Sequence, residues 1–169
     1  MRQAIHRVGF KRGVLWLVVL GLTVLFWLGW VSPAWANDYT KEILLNADFS
    51  GRDLTDSSFT KANLKNSNFK GSNLSGVSFF GANLEDTNLE GVNLSVATLD
   101  SARLVQANLT NAVLEGAFAY STQFEGAIIT GADFTDVDLP EPVQSALCKV
   151  ADGTNPTTGR STRETLNCG

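Results

Sequence analysis

A large apolar residue recurs at every fifth position between residues 42 and 141 of this chain of 169 residues. The repeat runs through twenty pentads without an insertion, and Ala119 is its one small centre. A repeat of this length constrains the fold more strongly than any local signal in the chain. The centres are Leu44, Phe49, Leu54, Phe59, Leu64, Phe69, Leu74, Phe79, Leu84, Leu89, Leu94, Leu99, Leu104, Leu109, Leu114, Ala119, Phe124, Ile129, Phe134 and Leu139.

A period of five residues fits neither an α-helix nor a straight strand. Helical positions five apart are rotated by about 140°, so the centres would not form one stripe. In a straight strand the centres would alternate between the two faces. The pattern is satisfied when the chain turns a corner about once per pentad, with the centre and the residue two before it pointing inward. That second inward residue is small in most pentads, and the outward positions are rich in Asn, Asp and Gly, which favour turns.

Four pentads carry alanine, then asparagine or aspartate, then leucine or phenylalanine. They are Ala62-Asn63-Leu64, Ala82-Asn83-Leu84, Ala107-Asn108-Leu109 and Ala132-Asp133-Phe134. In this motif the sequence resembles the pentapeptide-repeat family throughout residues 42–141. The resemblance implies an all-β solenoid, namely a right-handed quadrilateral β-helix with four pentads per circuit. Twenty pentads would then form about five coils.

A stacking offset of 20 residues between coils also follows from complementary side chains. It places Lys65 beside Glu85 and Lys70 beside Glu90, whereas an offset of 15 residues keeps only a Lys70–Glu85 pair. The same offset aligns like residues in columns: Phe49 with Phe69, Phe59 with Phe79, and Asn68 with Asn88 and Asn108. Such exposed pairs indicate the register, because each contributes only a few tenths of a kcal/mol.

Residues 1–36 have the features of a secretory signal peptide. Four basic residues precede an apolar stretch at 14–31, and Ala34-Trp35-Ala36 provides a small-x-small site, which predicts cleavage between Ala36 and Asn37. The alternative is a retained membrane anchor, since the apolar stretch is just long enough to span a bilayer. Cleavage would leave no membrane span, and the domain is expected to work outside the cytoplasm.

The charge and the single histidine exclude several classes of function. Four of the 13 basic residues and none of the 17 acidic residues lie in the leader, so its removal changes the formal charge from −4 to −8. An acidic protein is a poor nonspecific binder of nucleic acid. His6, the only histidine, is also in the leader, which excludes Ser–His, Cys–His and zinc–histidine chemistry. No catalytic residues, cofactor site or metal site is predicted, and we expect the protein not to be an enzyme.

The two ends of the repeat are expected to be capped. Residues 37–41 are predicted as an N-terminal cap and residues 142–169 as a C-terminal helical cap, because Pro140 and Pro142 stop the coil. One short helix is expected from Pro142 to Leu147. A second is expected after Ser161, whose spacing to Glu164 is that of a capping box.

Cys148 and Cys168 are the only cysteines of the chain. In an exported protein such a pair predicts a structural disulfide. The alternative, a redox-active pair, lacks the C-x-x-C motif. The segment between the cysteines resembles the tails of exported pentapeptide-repeat proteins of cyanobacteria and chloroplast thylakoid lumens. This resemblance implies a thylakoid-lumenal or periplasmic location.

One side of the predicted coil carries aromatic residues at outward positions, and we call this group the aromatic patch. Its members are Phe80, Asp100, Phe118 and Tyr120. Val96 and Val113 extend its apolar character from the neighbouring side. Clustered exposed apolar groups usually mark an interaction surface, so the patch is predicted to dock a protein or a second copy of the chain. The alternatives are that the capping helices of residues 143–166 or a local bulge cover it, or that a register slip places Phe118 inside instead of Ala119.

Two functions follow from the resemblance and the leader. The first is a non-enzymatic interaction or structural scaffold in a thylakoid lumen or periplasm, with protein partners and without nucleic acid. The alternative is an acidic DNA mimic that binds a topoisomerase, as some members of the resembled family do. The predicted signal peptide disfavours the alternative, because it would place the protein on the opposite side of the membrane from that enzyme.

Overall fold

The computed structural model describes residues 37–169 of the protein. The predicted signal peptide, the alternative membrane anchor and Ala36 of the predicted cleavage site lie outside these residues. Within residues 37–169, no helix is both long enough and apolar enough to cross a membrane.

From Asp38 to Phe118, parallel β-bridges join the residue before each pentad centre to the residue 20 positions further along the chain. One column of bridges contains Asp38, Ser58, Ser78, Thr98, Phe118 and Asp138. The hydrogen bonds have the same spacing: the Leu64 N–H donates to the Asn83 carbonyl at 2.8 Å, and the Asn83 N–H donates back to the Ala62 carbonyl at 2.9 Å. Four pentads, or 20 residues, therefore make one circuit. This is the stacking offset that the charge pairs and the columns of like residues predict.

The corners between sides are β-turns closed by one backbone hydrogen bond each. The Ser67 N–H, for example, donates to the carbonyl of the centre Leu64 at 3.0 Å. The third residue of most turns has positive φ, as in Asn66 (61°) and Gly71 (65°). This is the geometry of a type II turn, and Gly and Asn adopt it at least cost. The turns therefore explain why those residues recur two positions after the centre.

The interior of the coil is filled by the centres and by the small residues two positions before them. The leucine and phenylalanine centres from Phe49 to Phe134 are buried. Phe49 stacks on Phe69 with ring centroids 4.9 Å apart, and Phe59 stacks on Phe79 at 5.1 Å. The two stacks meet edge to face inside the first two circuits. The columns predicted from the 20-residue offset are confirmed.

The coil begins one pentad earlier than the sequence analysis places it. Residues 37–41 are predicted there as a cap, but Asp38 bridges to Ser58 and Tyr39 occupies the position of a centre. The Tyr39 ring stacks on Phe59 at 4.8 Å. A tyrosine suits the first circuit because its ring packs on the core while its hydroxyl can stay near water. The pattern of leucine and phenylalanine centres did not include it.

The two predicted charge pairs are present on the surface of the coil. The Lys65 ammonium lies 2.8 Å from the Glu85 carboxylate, and the Lys70 ammonium lies 2.9 Å from that of Glu90. Arg103 reaches Glu85 from the next coil at 3.2 Å. These pairs are partly exposed, so they confirm the register and contribute little stability.

Two short helices and a loop follow the last circuit. Helix α1 spans Glu141–Cys148 and begins after Pro140, while helix α2 spans Thr162–Thr165. The Ser161 side chain accepts a hydrogen bond from the Glu164 N–H at 3.2 Å, as its predicted capping role requires. Cys148 and Cys168 form a disulfide bond across these helices.

One of the groups that fix the loop between the helices to the coil is a buried side-chain amide. The Asn155 side chain donates to the carbonyls of Gly131, Ala112 and Asn111 at 2.9, 3.1 and 3.2 Å. The first two of these carbonyls belong to different circuits of the coil. Asn155 thus attaches the loop to two successive circuits of the coil.

Candidate functional site

The structure brings the members of the aromatic patch together on one side of the coil. Phe80, Asp100 and Tyr120 lie one above another at the 20-residue spacing, and Phe118 lies beside them in the bridged column. The exposed fractions are 43% for Phe80, 52% for Phe118 and 60% for Tyr120. Exposed apolar residues also occur on other sides of the coil, as at Ile43 and Ile128, but the patch groups three aromatic side chains together.

Neither alternative for the patch agrees with the structure. Ala119 is fully buried at the centre position, and Phe118 bridges in register to Thr98 and Asp138. There is accordingly no register slip that takes Phe118 inside. The capping helices also leave the aromatic side chains exposed.

Asp100 is held within the patch by a contact between coils. Its carboxylate accepts a hydrogen bond from the Tyr120 N–H at 2.8 Å. Ser121, which follows, is one of two corner residues without the positive φ found at the other corners; Asp56 is the second. The corner that carries Tyr120 therefore differs in its backbone from most corners of the coil, and Asp100 helps to fix the position of the Tyr120 backbone.

Val96 extends the apolar surface from the neighbouring side and holds a strained conformation. Its side chain is 54% exposed, and its φ is 52°. Positive φ is a genuine outlier for a β-branched residue and costs about 1–2 kcal/mol. Val113, also named in the sequence analysis, is half-buried in a bridge. An exposed valine at such a corner contributes nothing evident to the stability of the coil.

We expect Val96→Asn to stabilise the protein by about 1 kcal/mol, because asparagine tolerates this conformation and valine does not. The corners at Asn46, Asn66 and Asn111 already have this arrangement. Urea denaturation of the two proteins gives the difference. Val113→Asn is the matched control, since a bridge position has no such strain; an equal gain in both variants would contradict the explanation.

A groove lies between helix α1 and the last circuit of the coil, with a volume of about 480 Å³. It is lined on the coil side by Thr122 and by residues 124–127, and on the other side by α1 and Val150. The repeat does not predict this groove, because it determines the columns of the coil but not the path of the chain after the last pentad. The signal was present in Pro140 and Pro142, which force the chain out of the coil at this side.

The most buried carboxylate, Asp133, joins the coil to the cap. It accepts hydrogen bonds from the Thr135 hydroxyl at 2.6 Å, the Thr135 N–H at 3.0 Å and the Arg160 guanidinium at 2.7 Å. Arg160 also pairs with Glu115. Burial alone would raise the pKa of Asp133, but these hydrogen bonds outweigh it and lower the pKa below its ordinary value. These contacts give the cluster a structural role: it holds the cap to the coil. We call this cluster the clamp.

Residues 37–169 contain no group of three or more His, Cys, Asp or Glu side chains arranged to hold a metal ion. The two cysteines are paired with each other, as the sequence predicts. The surface features that distinguish this coil are thus the aromatic patch and the groove beside α1.

Comparison with known proteins agrees with the geometry of the repeat. A family model described as pentapeptide repeats matches in eight copies, at residues 43–79, 78–116 and 107–141. The chain belongs to the pentapeptide-repeat family. The crystal structure of a pentapeptide repeat protein from the Arabidopsis thaliana thylakoid lumen is 43% identical, with a TM-score of 0.64. That match covers 79% of this chain and 86% of the other.

Two further relatives are cyanobacterial and chloroplastic. A pentapeptide repeat protein from Nostoc is 27% identical, with a TM-score of 0.53, over 72% of this chain and 95% of that one. The thylakoid lumenal 15 kDa protein 1 of Arabidopsis thaliana is 60% identical over 48 residues, which are 28% of this chain and 21% of that protein. The matched segment thus spans about a fifth of that relative. The predicted export to a thylakoid lumen or a periplasm is confirmed by these lumenal relatives.

Proposed function

We propose that this pentapeptide-repeat protein is a non-enzymatic scaffold that binds another protein through its aromatic patch. We further propose that the coil is right-handed and quadrilateral and has about five circuits, the form that its family resemblance implies. A stack of this kind presents flat, regular sides, and specificity then depends on the outward residues of one side. The bridged register supports this form of the coil, and it also determines which side chains point outward.

One observation carries the proposal: three aromatic side chains are exposed together on one side of the coil. Aromatic residues are enriched at the energetic centres of interfaces, because they bury a large area with little loss of side-chain freedom. Asp100 beside Tyr120 adds a fixed acceptor within the patch. An enzyme is not supported, since the part of the chain after the leader has no histidine to act as a base.

The test is site-specific photo-crosslinking in intact membranes. A photoreactive phenylalanine analogue replaces Tyr120 in one sample and Lys70, an exposed residue outside the patch, in the control. We expect a discrete crosslinked species from position 120 and none from position 70. The mass of that species distinguishes a different protein from a second copy of the chain. Equal crosslinking from both positions, or none from either, would contradict a specific docking surface.

The double change Phe80→Ser, Tyr120→Ser should abolish the crosslinked species formed from a probe at position 118. It should change the free energy of unfolding by no more than about 1 kcal/mol, because both side chains are exposed. Denaturation in urea establishes that the variant is folded. A folded variant that keeps every association of the unchanged protein would remove the docking proposal.

No observation favours the alternative function, a DNA mimic that binds a topoisomerase. The acidic charge alone permits it, and the lumenal relatives argue for a different compartment.

A further inference from the structure

The side of the coil centred on Phe124 ends without a following rung. In the preceding circuit, the Gln123 N–H donates to the Ala102 carbonyl at 3.0 Å, and the Leu104 N–H donates to the Gln123 carbonyl at 2.8 Å. Val143 lies 20 residues after Gln123 and would occupy the next position. Its N–H donates instead to the Pro140 carbonyl at 2.9 Å, because the chain has already turned into helix α1.

Because the chain turns into α1, three backbone groups on this side are left without a hydrogen-bond partner from a following circuit. Among residues 37–169, the Thr122 carbonyl, the Phe124 N–H and the Gly126 N–H have no hydrogen-bond partner. The equivalent groups one circuit earlier are all paired with the next circuit. Along the chain these three groups are one acceptor followed by two donors, which is the same order as in the paired edge of the preceding circuit. Unpaired edges of this kind are templates for another strand.

The groove beside this edge suits an extended chain with apolar side chains. Apart from the edge itself, it is lined mainly by apolar residues, and its volume of about 480 Å³ lies in the range of binding sites for small molecules and peptide side chains. Its apolar lining comes from Phe124, Ala127, Pro142, Val143, Ala146, Leu147 and Val150. A residue of an added strand would direct its side chain into this space.

The charge of the residues that line the groove indicates that a positively charged occupant would bind best. Glu125 is the only charged residue among the ten that line it, and it belongs to no ion pair within residues 37–169. Without the leader the chain also has a formal charge of −8, with nine basic and 17 acidic residues. A basic side chain beside an apolar one would therefore complement the site and accelerate encounter.

We propose that this groove, which we call the end groove, binds an extended apolar and basic segment of a partner protein by parallel strand addition. The segment would give an N–H to the Thr122 carbonyl and two carbonyls to the N–H groups of Phe124 and Gly126, as the coil does in every earlier circuit. Main-chain hydrogen bonds supply affinity in this mode of recognition, and the side-chain pocket supplies selectivity. A basic residue of the segment would lie near Glu125.

The proposal is tested with the full disulfide-bonded protein and a fluorescein-labelled peptide of the sequence lysine–valine–threonine–valine–lysine. We expect saturable binding in fluorescence anisotropy. Hydrogen exchange measured by NMR should show slower exchange at the Phe124 and Gly126 amides when the peptide is bound. A peptide with N-methylated central residues, and one with glutamate in place of lysine, should each bind about tenfold more weakly.

Matched variants on one helix locate the site. Ala146 lines the groove and Ser145 does not, although both are exposed on α1. Ala146→Trp should fill the groove and weaken binding about tenfold or more, while Ser145→Trp should leave it unchanged. The Phe80→Ser, Tyr120→Ser protein should bind the peptide normally, so the end groove and the aromatic patch are tested independently.

Three results would overturn the proposal. They are the absence of saturable binding up to about 1 mM peptide, equal binding by the two tryptophan variants, and binding without slower exchange at the Phe124 and Gly126 amides. Sedimentation velocity provides a further test. If the unchanged protein were a dimer and Ala146→Trp a monomer, the groove would be an interface between copies of the chain, and the partner segment would be rejected.

Discussion

Phe79→Ala should lower the free energy of unfolding by about 4 kcal/mol, whereas Phe80→Ala, at the adjacent residue, should lower it by less than about 1 kcal/mol. Phe79 is fully buried and stacks on Phe59 at 5.1 Å, with Phe69 edge-on at 6.0 Å. Its removal leaves a cavity, because rings fixed in stacked circuits cannot collapse into the space. The Phe80 side chain is 43% exposed and belongs to the aromatic patch.

Urea denaturation of both variants, followed by circular dichroism, measures the difference. The m-value should change little if the unfolding remains cooperative. The pair differs only by one residue in position, so composition and local propensity are controlled. Similar losses of stability in both variants would mean that the assignment of inward and outward positions is wrong for this circuit.

Much of the fold can be predicted from the period of the sequence. Once the chain must turn every five residues, the inward positions follow, and pairs such as Lys65 with Glu85 indicate the 20-residue offset. The outward position of Phe80 follows from the same register, because a slip of one residue would exchange it with Phe79. The outward positions of Phe118 and Tyr120 follow in the same way, and the structure leaves both side chains exposed.

The ends of the coil could not be predicted in the same way, because the repeat no longer determines them. Tyr39 departs from the usual leucine or phenylalanine, yet it packs as a centre. At the other end, the end groove depends on where the chain leaves the coil. Val143 could have continued the bridges by its spacing, but the helix that begins at Glu141 takes its N–H away.

The conformation of single corners also lies beyond the pattern. Val96 occupies a corner position where the repeat often places Gly or Asn, although a β-branched residue prefers negative φ. The regular bridges on both sides of the corner impose its φ of 52° instead. Long-range hydrogen bonding thus overrides the local preference of the residue, as tertiary structure commonly does.

The clamp between coil and cap leads to the second large expected effect. Asp133→Ala should lower the free energy of unfolding by about 3 kcal/mol, because three donors lose a buried acceptor at once. They are the Thr135 hydroxyl, the Thr135 N–H and the Arg160 guanidinium. Asp133→Asn is the matched control, since it preserves the shape and one acceptor oxygen and should cost less.

The pH dependence of this effect follows from the direction of the pKa shift. Burial raises the pKa of Asp133, but the hydrogen bonds from Thr135, Thr158 and Arg160 together outweigh it and hold the pKa below its ordinary value. The carboxylate therefore stabilises the fold fully above the unfolded pKa of about 4, and this stabilisation is lost as the pH falls toward the lower, folded pKa. Urea denaturation should show a constant difference between the unchanged protein and Asp133→Asn from about pH 5 to pH 8, and a shrinking difference below about pH 4. A difference that stayed constant into the acid range would show that the ionised carboxylate is not what holds the cap to the coil, and the hydrogen bonds of Asn155 and Thr165 to the coil would then be its main polar attachments.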